Sequence, residues 1–105
     1  MARRVVVIGA GVAGLAAALT LARDLDVTLL ERASTPGGKM RQLDLGGHAI
    51  DSGPTVFTMR WVFDELFDCA GASLDDHVKL TRLDVLARHG WPDGTQLDLF
   101  ADEDK

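Results

Sequence analysis

One cysteine among 105 residues, Cys69, leaves the chain without an internal disulfide, and no Cys/His spacing suggests a zinc site. Such sparse cysteine usage fits a reducing, cytoplasmic compartment. A basic patch is missing too. Eleven Lys and Arg stand against sixteen Asp and Glu, for a net charge of −5, which excludes nucleic acid as a partner. The acidic residues are dispersed except at the end, Ala101-Asp102-Glu103-Asp104-Lys105. Repeats and low-complexity linkers are absent. The three histidines, His48, His77 and His89, are scattered, and none is assigned a catalytic role.

What is present is ordinary for a soluble globular protein: 47% apolar and 26% charged residues, in a length that allows at most one small domain. The run from Val5 to Ala22 carries no charge and follows Arg3-Arg4, so it imitates a secretory leader or a short membrane span. Three glycines in its first half argue against a helix of that length. The run also leads directly into a strand with an acidic end.

Val5-Val6-Val7-Ile8 is a continuous β-branched run, as a buried parallel strand should be. A glycine turn follows, then a helix predicted over Leu15 to Arg23, then a second strand, Val27-Thr28-Leu29-Leu30, closed by Glu31. This is a β-α-β unit. Downstream, Arg32 to Lys39 reads as a loop, Met40–Leu45 and His48–Asp51 as a hairpin about Gly46-Gly47, and Ser52-Gly53-Pro54 as a strand breaker. Thr58 is the expected cap of a helix from Met59 to about Ala70, with Gly71 beyond its end. Its apolar face is Met59, Val62, Phe63, Leu66, Phe67 and Ala70, a stripe that reads as core rather than as a substrate face. A second hairpin is predicted about Pro92-Asp93-Gly94, between Val85–Trp91 and Thr95–Phe100. Cys69, on the helix from Met59 to Ala70, reads as a structural thiol rather than a nucleophile.

The chemistry concentrates in Gly9-Ala10-Gly11-Val12-Ala13-Gly14. Gly9 permits a tight turn, Gly11 lets the backbone approach a pyrophosphate, and Gly14 lets helix and strand pack closely. The helix N-terminus offers free N–H groups and the positive end of its dipole. Glu31 stands twenty-two positions after Gly9, at the end of the second strand, where a carboxylate meets a ribose 2′-hydroxyl and repels a 2′-phosphate. A glycine-rich packing turn would explain the glycines but not Glu31. The residues therefore specify a dinucleotide and disfavour NADP. Gly37-Gly38-Lys39 reads either as a plain loop or as a second backbone platform near the pyrophosphate, with Lys39 or Arg41 adding positive charge. By themselves, Asp51 to Thr55 read as a strand-ending turn.

Taken together, Val5 to Gly14, Leu30-Glu31-Arg32, Pro36-Gly37-Gly38-Lys39 and Asp51-Ser52-Gly53-Pro54-Thr55 resemble the N-terminus of the bacterial phytoene desaturase-type carotenoid desaturases, within the amine-oxidase-like FAD flavoproteins. The stretch Gly53 to Phe63, Asp76-His77-Val78 and Ala87 to Trp91 resemble the hydroxyneurosporene (1-hydroxycarotenoid 3,4-) desaturases of purple bacteria.

The resemblance implies an α/β fold, the N-terminal part of a Rossmann-type FAD-binding domain, over residues 1–72, with the start of a substrate domain over 73–105. It implies FAD as cofactor. Gly9, Gly11, Val12, Ala13 and Gly14 would hold the pyrophosphate, Glu31 with Arg32 would meet the adenosine ribose, Gly38 and Lys39 would lie beside the FAD, and Gly53, Pro54 and Thr55 would run toward the flavin ring. The substrate implied is a hydrophobic carotenoid, oxidised from C–C to C=C, and the setting cytoplasmic with peripheral contact at the inner membrane. Family members run to several hundred residues, so the expectation is an N-terminal portion too short for turnover alone. Two alternatives stay open: another amine-oxidase-like FAD oxidoreductase, or an inactive dinucleotide-binding remnant.

Overall fold

In the computed structural model, which describes residues 3–102 and 104, the chain opens with two parallel strands, β1 (Arg4–Ile8) and β2 (Asp26–Leu30), joined through helix α1 (Val12–Leu21). Glu103 and Lys105 of the acidic end lie outside the described residues. The register pairs Arg4 with Asp26 and Ile8 with Leu30. Alternate residues Val5, Val7, Val27 and Leu29 are half-buried, and Val7 points at α1, with Cγ1 3.7 Å from where a Gly14 Cβ would stand. The opposite face is bare: Ile8 is 85% exposed, beside Val6 and Leu30.

Helix α1 departs from the expectation of Leu15 to Arg23. It begins three residues earlier and ends at Leu21, with Ala22 as its C-cap. Propensity argues against starting a helix across Gly14. The turn overrides it, because a chain leaving β1 and packing at once on the strand pair must enter the helix at Val12.

A hairpin of β3 (Gln42–Leu45) and β4 (His48–Asp51) follows, turning at Gly46-Gly47 with both glycines at positive φ. Met40 and Arg41, expected in the first strand, lie just outside it. Helix α2 (Arg60–Cys69) corrects a second expectation: Thr58 does not cap it. Met59 is the N-cap, in the left-handed region at φ 53 and ψ 51, and no side chain bonds the first-turn amides. A non-glycine residue there carries about 1–2 kcal/mol of strain. The far end behaves as expected. Gly71, at φ +70, donates to the Asp68 carbonyl, and the Ala72 amide reaches back to Phe67, the paired bonds of a Schellman ending.

Val62, Phe63, Leu66 and Phe67 form the half-buried face of α2, whereas Met59 and Ala70, expected to share it, are exposed. Phe57 stacks on Phe63 with ring centres 4.6 Å apart. Arg60 reaches Asp64 at 3.3 Å and Asp75 at 2.7 Å, tying the start of α2 to a short 3-10 turn (Leu74–Asp76) whose Leu74 is buried. The last hairpin, β5 (Val85–Gly90) and β6 (Gln96–Phe100), pairs Gly90 with Gln96 and Val85 with Phe100, with a bulge between Val85 and Ala87. Among the described residues the only buried apolar side chains are Ala10 and Leu74. The Cα radius of gyration is 18.8 Å, against about 13 Å for a compact chain of this length. No helix of the described residues is long and apolar enough to cross a membrane.

Candidate dinucleotide-binding site

Gly9 and Gly11 in the turn and Gly14 in the first turn of α1 differ in what they require. Gly9 has φ +98 with nothing within 4 Å of a notional Cβ, so its demand is conformational; its amide donates to the Leu30 carbonyl at 2.7 Å. At Gly14 the demand is spatial, because a Cβ would overlap the Gly9 carbonyl oxygen. Gly11 meets neither demand. It is extended, φ −74 and ψ 177, and a Cβ would come no closer than 4.0 Å, to Gly38 Cα. The protein itself leaves room for a Cβ there, so the open space lies in front of the turn.

That space faces the start of α1. The first intrahelical bond runs from the Leu15 amide to the Gly11 carbonyl, 2.9 Å. The amides of Val12, Ala13 and Gly14 therefore have no acceptor within the helix, and Gly11 supplies no side-chain cap. No acidic residue occupies the first turn, which leaves the positive end of the dipole uncompensated.

Glu31 closes the cradle from the end of β2. One carboxylate oxygen accepts the Ala10 amide at 2.6 Å and the other accepts the Ala33 amide at 2.7 Å. The Ala33 bond first, then the Ala10 bond, hold the carboxyl below its usual pKa, with a smaller contribution from the Arg32 charge. A carboxylate offers about four acceptor directions, so roughly two remain for hydroxyl donors. No sequence signal marks Ala10. It is the buried knot of the site, giving its amide to Glu31 and accepting the Gly37 amide at 2.8 Å on its carbonyl.

The Gly37-Gly38 pair docks on this turn. Gly37 forms an isolated parallel bridge with Gly11, and a Cβ on Gly38 would stand 3.0 Å from Gly11 Cα. The two glycine segments, far apart in sequence, are therefore in backbone contact. Lys39, Arg41, Ser52, Gly53 and Pro54 line an open recess with Gly38, and a neighbouring recess of about 630 Å³ continues past Ala33, Thr35 and Asp51. Among the described residues no ion pair engages Lys39 or Arg41. Thr55 is exposed and lines neither recess; Val12 and Ala13 are exposed on the first turn of α1, and Arg32 is exposed beside Glu31. Cys69, half-buried, has the Arg23 guanidinium 4.0 Å from its Sγ, a neighbour that sequence spacing could not reveal. The described residues hold no cluster of potential metal ligands.

A cradle of this form, with a positive-φ glycine, free helix amides, an anchored carboxylate and a second glycine platform, suits a pyrophosphate flanked by a ribose. The family model for NAD(P)-binding Rossmann-like domains matches residues 7–70, well over half of the chain. The chain is 62% identical over 101 residues to a hydroxyneurosporene desaturase of Rubrivivax gelatinosus, covering 94% of this chain and 19% of that protein. It is 51% identical over 100 residues to a hydroxyneurosporene desaturase of Cereibacter sphaeroides, covering 94% of this chain and 20% of that one. A phytoene dehydrogenase of Streptomyces griseus is 46% identical over 99 residues, 93% of this chain and 20% of its own length. The chain thus spans about a fifth of the length of the curated relatives it matches.

Proposed function

Since the chain belongs to the NAD(P)-binding Rossmann-like family and is homologous to carotenoid desaturases along nearly its whole length, we propose that it forms the FAD-binding opening of an enzyme that introduces C=C bonds into a carotenoid. The observation that carries the reading is the contact of three elements: the uncapped α1 N-terminus, the Glu31 carboxylate and the Gly37-Gly38 platform.

FAD is favoured over NADP by Glu31, whose negative charge would stand against a 2′-phosphate. In this assignment the amides of Val12, Ala13 and Gly14 bond the pyrophosphate. Glu31 keeps two acceptor directions for the ribose hydroxyls while its other two fix the turn. Gly38 brings backbone to the other side of the phosphates, and Lys39 supplies positive charge from the recess. Gly53, Pro54 and Thr55 lead toward the ring, and Arg32 lies at the rim of the ribose pocket. Bound FAD would supply the oxidising chemistry, taking two electrons from the polyene. This chain's own share is binding and orientation.

The residue span 1–72 is assigned to the cofactor and 73–105 to the beginning of the substrate domain. The substrate is a hydrophobic carotenoid, and the setting is cytoplasmic, peripheral at the inner membrane, because so apolar a substrate partitions into lipid.

A segment exchange tests the reading. With this chain replacing its matching stretch in the Rubrivivax gelatinosus relative, the chimera should retain bound flavin and desaturate carotenoid. A chimera that holds flavin but leaves every carotenoid unchanged would favour another flavin oxidoreductase. A folded, colourless chimera would overturn the FAD assignment.

A further inference from the structure

The Gly37-Gly38 platform meets the first glycine turn through backbone, by the Gly37 amide on the Ala10 carbonyl and the Gly37–Gly11 bridge, and further backbone contacts brace it in turn. The backbone contacts lead to Gly53. Past the end of β4, the Ser52 amide donates to the Arg41 carbonyl at 2.8 Å, extending the hairpin pairing by one step. At the next residue the chain passes directly over Lys39. A Cβ on Gly53 would overlap the Lys39 carbonyl oxygen and stand 3.6 Å from Met40 Cα. Lys39 follows immediately on Gly38, which rests against Gly11, and the Met40 amide returns to the Gly37 carbonyl at 3.0 Å. One line of backbone contacts therefore runs from Gly53 through Lys39 and Gly38 to Gly11.

We propose that Gly53 is a positioning residue for the dinucleotide pyrophosphate: its bare Cα lets the chain after β4 close on Lys39, and that closure seats Gly37-Gly38 on the glycine turn. The proposal rests on the FAD reading for its ligand but not for its geometry. Gly53 has no positive φ, so no left-handed backbone calls for glycine, and the demand comes from the space at Lys39. Gly47 is the natural contrast within the same hairpin. It sits at φ +87 with open space around it, so a side chain there strains the turn without touching Lys39.

Amide hydrogen exchange on the 105-residue chain, read residue by residue by NMR, separates the two roles. In Gly53→Ala the Gly37 amide, which donates to the Ala10 carbonyl, should lose protection about tenfold or more, while the Gly9 amide, bonded to Leu30, keeps it. FAD affinity should fall about tenfold or more, in line with lost bonds to a charged group. Gly47→Ala should leave both readouts within about twofold. Unchanged Gly37 protection in Gly53→Ala overturns the proposal, as does an equal loss in Gly47→Ala, or a loss at Gly9 that marks general unfolding. If the parent chain binds no FAD, the cofactor assignment falls, and the exchange of Gly37 still decides the positioning role.

Discussion

The glycine turn and the β5–β6 hairpin are built on opposite plans. Around the turn, segments from β1, α1, the end of β2, residues 37–38 and the chain after β4 converge, and they meet mostly backbone to backbone. The hairpin is held almost wholly by itself. Among the described residues β5 and β6 pack on one another and on no other helix or strand. Its register rests on a local turn, in which the Gly94 amide bonds the Trp91 carbonyl and the Trp91 amide bonds Thr95, and on the two-pronged Arg88–Asp98 pair at 2.6 and 2.7 Å. One region draws its geometry from contacts distant in sequence, and the other from neighbours a few residues apart. An isolated two-stranded hairpin is marginal in water, so the first region should be the harder to perturb by a surface change and the easier to destroy by one added methyl.

Gly14→Ala should have the largest effect. Its Cβ meets the Gly9 carbonyl, and the overpacking should cost about 1–3 kcal/mol or more of stability and abolish dinucleotide binding. Thermal melting and FAD titration would register both losses, and a variant that melts like the parent would break the claim that this turn is spatially constrained. Glu31→Gln should follow. It keeps the shape but weakens acceptance of the Ala10 and Ala33 amides and the ribose hydroxyls, lowering FAD affinity by about tenfold to a hundredfold. The same residue sets a pH dependence. Its folded pKa is depressed, so its contribution is complete above the ordinary carboxylate range and is lost as pH falls through the lowered value. Affinity should hold level from about pH 8 down into the ordinary carboxylate range and decline only as pH falls through the lowered value, whereas a decline nearer neutrality would implicate another group.

In the hairpin the effects should be smaller and local. Gly94→Ala forces an L residue to φ +89 and should cost about 1–2 kcal/mol, seen as faster exchange of the Trp91 and Gly94 amides with FAD affinity unchanged. A change in FAD affinity there would show that the regions are coupled. Arg88→Ala should have the least effect, because the pair is exposed at Arg88 and salt screens it. Its small shift in melting should vanish in high salt.

The same division explains what could be read from the sequence. Both hairpins, the Schellman ending at Gly71 and the glycine turn are each encoded locally, by apolar runs and by glycines at positive φ, and the parallel pair by two apolar runs joined through one helix. Helix α1 starts earlier than its propensities predict because propensity at Gly14 yields to packing against Gly9. The Thr58 cap failed for a related reason: the Phe57–Phe63 stack and the Arg60 pairs to Asp64 and Asp75 accompany a helix that starts one residue later, leaving Met59 left-handed. In the candidate site, the spacing of Gly9, Gly11, Gly14 and Glu31 was legible, and so was the presence of Gly37-Gly38. Neither the seating of Gly38 on Gly11, nor the double role of Ala10, nor the passage of Gly53 over Lys39 leaves a periodic or compositional trace, because each is a contact made by loop backbone, which follows no strand or helix period.

The central claim is that the opening β-α-β unit with Gly37-Gly38 is a dinucleotide cradle whose open space lies at Gly11. Titration of the parent chain and of Gly11→Val with FAD, followed by flavin fluorescence, tests it most directly. The account predicts saturable, one-to-one binding by the parent and loss of about a hundredfold or more in a Gly11→Val protein that keeps its secondary structure. Equal binding by both, or no binding by a folded parent, would contradict it.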